Sequence, residues 1–553
     1  MKNLSAKQEC FIKLILLSLI FLFILAEFLL ALTPPVARDA LIHHLAIPKL
    51  WLVHGGFYET PWAGFSYYPM NLSLLYLVPL YFGNDIIPNF IHLSFGLGTA
   101  VLLYSYLNKR CGQLAGLLGA LMFISLPTIL RTATTAYVDV GLVFFTTLSV
   151  LSYVYWRDTE YQSNGWLLVS AIAMGLALGT KYSALPVWFF LTLAIVFVYA
   201  RETGRQWPAL QYGFLFFVIS LMVFSPWLIK NAILTGNPLY PLLKSFFGDS
   251  GINVEGVYSA MSGDAGGSMF KTRQWFWGES VWETLLIPLR FFLQGQDHNP
   301  RYFDGVLNPV LLFIAPFAFI NKTLKTEKLL FLCFAAFVIL LAFFMDQHRI
   351  RYILPAVPFV IILAVLGFVN LFNWMMEKQK PLQKIYLAAF ILMVVVMIGF
   401  NAVYAKNYFA KIAPMGYILK KESRHQFIAR YDGSYPAVRY INEHTRADAK
   451  IRLILLAGRG YHLDRPYDDD ASFGMEVIRK FVSFSKDEIA FQKYLRSLGC
   501  THLLVRYELM RQFLTDNYTP EEIGRFSEQL SKTVVISFYD GHYAVFQIKA
   551  GSS

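Results

Sequence analysis

Residues 14–44 read LILLSLIFLFILAEFLLALTPPVARDALIHH, a long apolar run followed at once by a charged, histidine-bearing segment. The run is long enough to cross a bilayer, which takes about 20 mostly apolar residues. Thr33-Pro34-Pro35 after it does not resemble a small-residue cleavage site, so we interpret the run as an uncleaved transmembrane helix rather than a signal peptide. Asp39 is therefore expected a few residues beyond the membrane, at its boundary with water.

The composition indicates a membrane protein along most of the chain. Of 553 residues, 56% are hydrophobic and only 15% are charged, whereas a soluble domain carries about 25% charged residues. The net charge of +12 fits basic loops beside membrane spans, and no basic stripe with interleaved aromatic residues indicates nucleic acid binding. The four cysteines show no metal-type spacing.

Eleven apolar segments predict a polytopic α-helical membrane protein. They lie at about 14–32, 86–107, 112–130, 140–156, 165–180, 182–200, 208–229, 305–321, 329–345, 352–374 and 385–404. One set of short loops holds fourteen Lys and Arg residues and the opposing set holds six. By the positive-inside rule, we expect the N-terminus in the cytoplasm and the C-terminus outside, in a bacterial inner membrane.

Three external segments are too large to be simple turns: the loops 33–85 and 230–304 within a membrane domain 1–404, and the tail 405–553. The tail is water-soluble in character. Its alternating patterns predict strands, two of which form a terminal hairpin, and one amphipathic helix. The strands are expected at 450–457, 501–507, 533–538 and 542–548, and the helix at 486–498. The tail is therefore predicted to be an extracytoplasmic α/β domain.

The first external loop carries the main candidate for catalysis. A carboxylate at the membrane boundary, such as Asp39, could remove a proton from a hydroxyl acceptor. It could equally be an acid that complements the dipole of a helix N-terminus. His43 follows four residues later, on the same face of any helix. The two residues fit half of a metal site or a hydrogen-bonded pair, and the sequence fixes no third ligand.

Other charged residues lie at the outer ends of predicted spans. Asp139 begins one span, Lys181 lies in a tight outer turn, Lys230 ends a span, and Arg349 and Arg351 precede another. Ionisable groups at membrane depth are costly and are usually functional or paired. The cations could bind a lipid-linked phosphate. Alternatively, each could extend toward lipid headgroups.

Taken together, these stretches resemble the type C (GT-C) glycosyltransferase superfamily. The nearest resemblance is to bacterial relatives of the dolichyl-phosphate-mannose protein mannosyltransferases and to the lipid A aminoarabinose transferases. It covers about residues 10–405. The motifs that carry it are Arg38-Asp39 with His43-His44, Tyr67-Tyr68-Pro69, Tyr137-Val138-Asp139, Gly179-Thr180-Lys181-Tyr182, Pro226-Trp227, Gly236-Asn237-Pro238 and Arg351-Tyr352.

The resemblance implies an inverting glycosyltransferase, moving a hexose or pentose from a polyprenyl-phosphate donor to an acceptor hydroxyl at the periplasmic face. Asp39 matches the acid that activates the acceptor. We assign the donor phosphate to Lys181, Arg349, Arg351 and Lys230, and substrate contacts to Arg38, His43, His44, Asp139 and Tyr68. The expected partners are the donor, membrane lipids and a lipid, glycan or protein acceptor. No cofactor is expected. Some members of the superfamily carry a second acid where this chain has Ala40, so the resemblance leaves open whether a divalent metal takes part.

Two other classes of function compete with this interpretation. A lipid or glycan flippase would place ionisable groups near the bilayer midplane and build its spans as repeated halves. A non-catalytic envelope-glycan assembly protein would use the C-terminal tail for binding. Replacing Asp39 separates these classes, because only an enzyme would lose turnover while keeping its fold and its partners.

Overall fold

A computed structural model describes residues 5–247, 269–345, 347–469 and 474–549, so part of the predicted loop 230–304 lies outside the described residues. The first part of the chain is helical. Its α-helices are α1 Ala6–Ala31, α2 Ala46–His54, α3 Asn71–Tyr81, α4 Ile87–Cys111, α5 Gln113–Ile124, α6 Pro127–Ala133, α7 Asp139–Asp158, α8 Asn164–Leu178, α9 Ala184–Thr203, α10 Gln206–Thr235, α11 Lys244–Phe247, α12 Met269–Trp277, α13 Val281–Leu285, α14 Ile287–Leu293, α15 Val310–Ile314, α16 Lys325–Phe343, α17 Val357–Met376 and α18 Lys380–Ile412. Ala40–His44 forms a π-helix, and Gly64–Tyr67, Ala315–Ile320 and Ile350–Ala356 are 3₁₀ turns.

Eight helices in the described residues are long and apolar enough to cross a membrane, which confirms the predicted membrane fold. The other three predicted spans are also helical but irregular. The segment at 112–130 is the pair α5 and α6, bent by 66° where Pro127, which lacks an N–H to donate, begins α6. The remaining two are the shorter apolar helices Asn164–Leu178 and Val310–Ile320.

Small and hydroxylic residues bring the spans into close contact. The hydroxyls of Ser149 in α7 and Ser170 in α8 donate to each other's carbonyls at 2.8 and 2.7 Å. A Cβ on Gly175 in α8 would lie 2.5 Å from the Cβ of Val223 in α10. Without a side chain at Gly175 the two backbones approach closely, which is how helices associate in lipid.

One end of the bundle is joined by ion pairs among four helices. Arg110 of α4 contacts Asp158 of α7 at 2.6 Å and Glu327 of α16 at 3.0 Å. Arg157 of α7 contacts Glu202 of α9 at 2.7 Å and Glu327 at 3.7 Å. We call this group the far-end ring, because α7 extends from it for 20 residues, about 30 Å, to Asp139 at the opposite end.

The C-terminal region is an α/β structure, as predicted. Its helices are α19 Pro414–Ile418, α20 Arg424–Tyr431, α21 Tyr435–His444, α22 Met475–Phe484, α23 Glu488–Ser497, α24 Tyr507–Asn517 and α25 Pro520–Thr533. Its strands are β1 Ile451–Ile454, β2 Tyr467–Asp468, β3 His502–Arg506, β4 Val534–Tyr539 and β5 Tyr543–Ile548. They form one sheet in the order β2-β1-β3-β5-β4, parallel across β2-β1-β3 and antiparallel across β3-β5-β4. The predicted terminal hairpin is β4 and β5, whereas β2, two residues long, was not predicted.

The segment that follows β1 packs against the segment 33–85, which is predicted to be the first external loop. The ammonium of Lys49 donates to the carbonyls of Tyr461 and Leu463 at 3.0 and 2.9 Å and to Asp464 at 3.0 Å. The Tyr461 N–H donates to the Leu41 carbonyl at 3.3 Å. The C-terminal region is thus fixed to the same turn of chain that carries Asp39.

Candidate functional site

Asp39 stands at the start of the π-helix Ala40–His44. The wide turn is closed by the Leu45 N–H, which donates to the Ala40 carbonyl at 3.0 Å. Such turns are rare and frequently lie at functional sites. Because the turn closes over five residues rather than four, His43 falls short of the position above Asp39 that an α-helix would give it. The two side chains accordingly form no hydrogen bond with each other, and the hydrogen-bonded pair that was one interpretation of their spacing is absent.

Asp39 pairs instead with Arg351. The Arg351 Nη1 donates to Asp39 Oδ2, and the side chains are only 12% and 16% exposed for Arg351 and Asp39 respectively. Burial by itself would raise the pKa of Asp39, but the charge of Arg351 and its hydrogen bond hold it well below its usual range. The carboxylate is therefore ionised at neutral pH. Its Oδ1 accepts no hydrogen bond from any residue that the structure describes.

A second ion pair lies beside the first. Lys181 donates to Asp139 Oδ1 at 2.8 Å, and the Asp139 side chain is 3% exposed. His92 holds the start of α7 in place, since its Nε2 accepts from the Val140 N–H at 3.0 Å. Its Nδ1 lies 2.8 Å from the Thr135 carbonyl and donates to it, which fixes the tautomer.

Aromatic rings link the two ion pairs. The Lys181 ammonium lies 5.3 Å from the ring centre of Tyr352, and the Arg351 guanidinium lies 5.5 Å from the same ring. Arg351 is also 5.9 Å from the ring of Tyr137. Tyr352 is therefore shared by both cations, within the range of cation–π attraction.

The two histidines, both within the segment 33–85, form another side of the site. Their rings are 4.0 Å apart, and His43 is stacked on Phe65 at 4.4 Å. Burial lowers the pKa of His43 to about 4 against the opposing effect of Asp39, so this imidazole is neutral at pH 7. The His43 Nδ1 is buried and has no hydrogen-bond partner among the described residues. His44 is buried, with its Nδ1 3.4 Å from the Ser73 hydroxyl.

The other four predicted site residues lie outside the two ion pairs and have different contacts. Tyr68 lies 5.4 Å from Tyr182, ring to ring. Lys230 donates to the Ser66 carbonyl and lies 5.0 Å from the Trp227 ring, and no carboxylate pairs with it in the described part of the chain. Arg38 is exposed and Arg349 half-buried. Neither guanidinium forms an ion pair or hydrogen bond with a described residue.

No group of three or more His, Cys, Asp or Glu side chains arranged for a metal occurs among the residues the structure describes. Asp39 is the carboxylate at which a metal ion would be expected, and its partner is the guanidinium of Arg351.

His92, Tyr137 and Tyr352 were not predicted as site residues. His92 had a detectable signal, because it is an ionisable residue inside an apolar span and such residues are usually functional or paired. The tyrosines stand in the motifs Tyr137-Val138-Asp139 and Arg351-Tyr352, but among the 32 tyrosines of the chain, most of them expected in the membrane interface, nothing else indicated a role for them.

Comparison with known families gives a match over part of the chain. The sequence profile of the dolichyl-phosphate-mannose-protein mannosyltransferase family matches residues 65–235. That segment contains Tyr68, Asp139, Lys181 and Lys230 but neither Asp39 nor Arg351. A search of curated protein sequences gives no match.

Solved structures share the fold over nearly the whole chain. ArnT from Cupriavidus metallidurans, bound to undecaprenyl phosphate, is 12% identical with a TM-score of 0.58, over 98% of both chains. The archaeal oligosaccharyltransferase AglB from Archaeoglobus fulgidus, in complex with an inhibitory peptide and a dolichol-phosphate, is 11% identical with a TM-score of 0.55, over 97% of this chain and 74% of that one. The chain is thus similar to the dolichyl-phosphate-mannose-protein mannosyltransferases over residues 65–235 and shares its fold with ArnT and AglB.

Proposed function

We propose that this protein transfers a sugar, with inversion, from a polyprenyl-phosphate-linked donor to an acceptor hydroxyl at the outer face of a bacterial inner membrane. The observation that carries the proposal is the ionised Asp39, held by Arg351 at one end of the bundle beside the Asp139–Lys181 pair. The loop charges supply the orientation, with the N-terminus in the cytoplasm and the C-terminal region in the periplasm.

Asp39 acts as the base in this mechanism. Arg351 occupies Oδ2, so Oδ1 is left to accept a hydrogen bond from the acceptor hydroxyl. The acceptor oxygen bonds to the anomeric carbon as the bond from that carbon to the phosphate oxygen breaks, and the electron pair leaves with the phosphate. A hydroxyl becomes strongly acidic as it forms this bond, so even a carboxylate of low pKa takes the proton late in the step.

Cations at the same end would stabilise the departing phosphate, whose charge grows as the bond breaks. Lys181 and Arg351 already pair with carboxylates, and both lie against Tyr352. Arg349, two residues before Arg351, has no acidic partner among the described residues and offers an uncompensated guanidinium. We therefore assign the phosphate mainly to Arg349, with Arg351 and Lys181 contributing to the field. Lys230 would act from the side of the first external loop.

The neighbouring structures support a polyprenyl-phosphate carrier, because ArnT is bound to undecaprenyl phosphate and AglB to a dolichol-phosphate. AglB is bound to an inhibitory peptide as well as to a dolichol-phosphate, which is compatible with a large acceptor. For this chain we propose a lipid, glycan or protein acceptor. We propose that the substrates are contacted by His43, His44, Tyr68, Asp139 and Arg38. We propose that the reaction needs no cofactor and no metal at Asp39.

The test is transfer by purified protein in nanodiscs, with a panel of radiolabelled polyprenyl-phosphate sugars and total envelope extract as acceptor. We expect a labelled product from wild type and from Asp448→Asn, whose carboxylate is 72% exposed in the C-terminal region. Asp39→Asn should form none. Equal transfer by Asp39→Asn would contradict the mechanism. Absence of product with every donor, from folded wild type, would favour a flippase or an assembly protein.

A further inference from the structure

Two arginines next to the proposed base, Arg38 and Arg349, form no ion pair with any residue that the structure describes. Arg38 precedes Asp39, but the Asp39 carboxylate is engaged by Arg351. The charge of Arg349 acts on the carboxylate of Asp304. That carboxylate is held by Arg131 at 3.0 Å and by the His298 N–H at 2.9 Å.

A third arginine reaches the same place from the C-terminal region. Arg459 lies in the segment after β1, between Gly458 and Tyr461. A Cβ on Gly458 would meet the Ile42 side chain at 3.4 Å, and the Tyr461 N–H bonds to the Leu41 carbonyl. Arg459 is thus positioned over the π-helix that begins after Asp39.

Arg459 is also poorly compensated. Its one acidic neighbour among the described residues is Asp432, at 3.9 Å. The same Asp432 oxygen already accepts hydrogen bonds from the hydroxyl of Ser434 at 2.7 Å and from its N–H at 3.1 Å. The Nε of Arg459 is buried with no hydrogen-bond partner in the described part of the chain.

The charges of Arg459 and Arg349 both reach Arg38. Partial removal of the Arg38 guanidinium from water lowers its pKa, and although Asp39 opposes this, the charges of Arg459 and Arg349 lower it further. Like charges gathered without counter-ions destabilise a fold unless an anion joins them. Guanidinium groups bind phosphate oxygens through paired N–H donors, which makes phosphate the anion such a group fits best.

We propose that Arg38, Arg349 and Arg459 form one phosphate-binding site that spans the membrane bundle and the C-terminal region. The C-terminal region thereby supplies a substrate-binding residue rather than serving only as an appended domain. That the phosphate belongs to the polyprenyl carrier rests on the proposed function; a free phosphate or a phosphate on the acceptor has the same chemistry.

The test measures binding without turnover, by titration calorimetry on full-length protein in detergent. The probes are a short-chain polyprenyl phosphate, inorganic phosphate and the corresponding polyprenol, which lacks the phosphate. The variants are Arg459→Gln and Arg459→Lys. The matched control is Arg446→Gln, also in the C-terminal region, where the Arg446 side chain is 88% exposed.

We expect Arg459→Gln to weaken polyprenyl phosphate binding about ten-fold or more, as the loss of a charge-assisted hydrogen bond implies. Polyprenol binding should be unchanged, Arg459→Lys should recover most of the affinity, and Arg446→Gln should match wild type. A loss seen with inorganic phosphate alone would support the site but assign it to a phosphate other than the carrier's.

Unchanged binding of both phosphate probes in Arg459→Gln would overturn the proposal. So would an equal loss for polyprenol, because it would show that the substitution disturbs the fold rather than a phosphate contact. If wild type binds both phosphate probes through Arg459 but transfers no sugar from any donor, the proposed function fails while this site stands.

Discussion

Arg351 and Asp39 are 312 residues apart in the chain, yet the guanidinium of one donates directly to the carboxylate of the other. The contact joins the segment after the first span to the start of a span near the end of the bundle. It keeps Asp39 ionised in a site that water barely reaches and leaves Oδ1 for a substrate. The predictions below start from this contact and from the side chains around it.

Asp39→Asn should lower the turnover number by about 10²–10⁴-fold, the usual contribution of a positioned base. Donor binding should change little, because the amide preserves the shape of the side chain. Single-turnover transfer, together with donor titration, separates the two effects. A fall in donor affinity that accounts for the whole loss would assign Asp39 to binding and not to proton transfer.

Arg351→Gln should make transfer depend on pH. Without the guanidinium, burial raises the pKa of Asp39 above its usual range, so the active carboxylate forms only as the pH rises through that raised value. The transfer rate of wild type should not fall on the acid side of the profile above pH 5. Rate profiles from pH 5 to 9 test this, with Arg351→Lys as the control that keeps the charge. Parallel profiles for Arg351→Gln and wild type would refute it.

Lys181→Met should destabilise the protein by leaving the buried Asp139 carboxylate unpaired. Removing one partner of a buried pair costs about 3–5 kcal/mol, and we expect the lower end because the Lys181 side chain is 28% exposed. Adding Asp139→Asn should recover part of the loss. Thermal unfolding of the two single variants and the double variant in detergent gives the coupling energy. Strict additivity would show that the pair is energetically unimportant.

His43 should make the folded state more stable as the pH rises from about 4 toward 6.5. Burial depresses its folded pKa to about 4, below the value of about 6.5 in an unfolded chain. The unfolded state therefore binds the extra proton in this window, and stability is lost as the pH falls. The apparent Tm of His43→Gln should vary less than that of wild type between pH 4.5 and 6.5. Identical slopes would show that His43 is already protonated in the folded protein.

Chelation should leave transfer unaffected, because the cation at Asp39 is the guanidinium of Arg351. We expect the same rate after dialysis against EDTA and after addition of Mg²⁺ or Mn²⁺. Activity that disappears with EDTA and returns with one metal would show that a metal reaches the site in the substrate complex.

Features set by local sequence were predictable, and those set by packing were not. Run length located the spans, and alternation located β1, β3, β4 and β5. The Asp139–Lys181 pair, 42 residues apart, joins two residues that were both placed at outer span ends, although the pairing itself was not predicted. The contact between Asp39 and Arg351 depends on how distant spans pack, which no local pattern records.

The π-helix illustrates the same limit on a smaller scale. The segment from Ala40 to His44 has ordinary helical spacing, and that spacing placed Asp39 and His43 on one face. The wider turn is stabilised by tertiary contacts, including the stacking of His43 on Phe65 and the bond from Tyr461 to Leu41. Neither contact can be read from the five residues themselves.

The far-end ring determines how the bundle can move. Four helices, α4, α7, α9 and α16, are held together there by Arg110, Arg157 and Glu327. Helices tied together at one end separate most readily by pivoting about that end. The largest displacement then falls about 30 Å away, at Asp139 and its neighbours. We therefore expect the isoprenoid chain of the proposed donor to enter from the side, between helices that part at the level of the reacting groups.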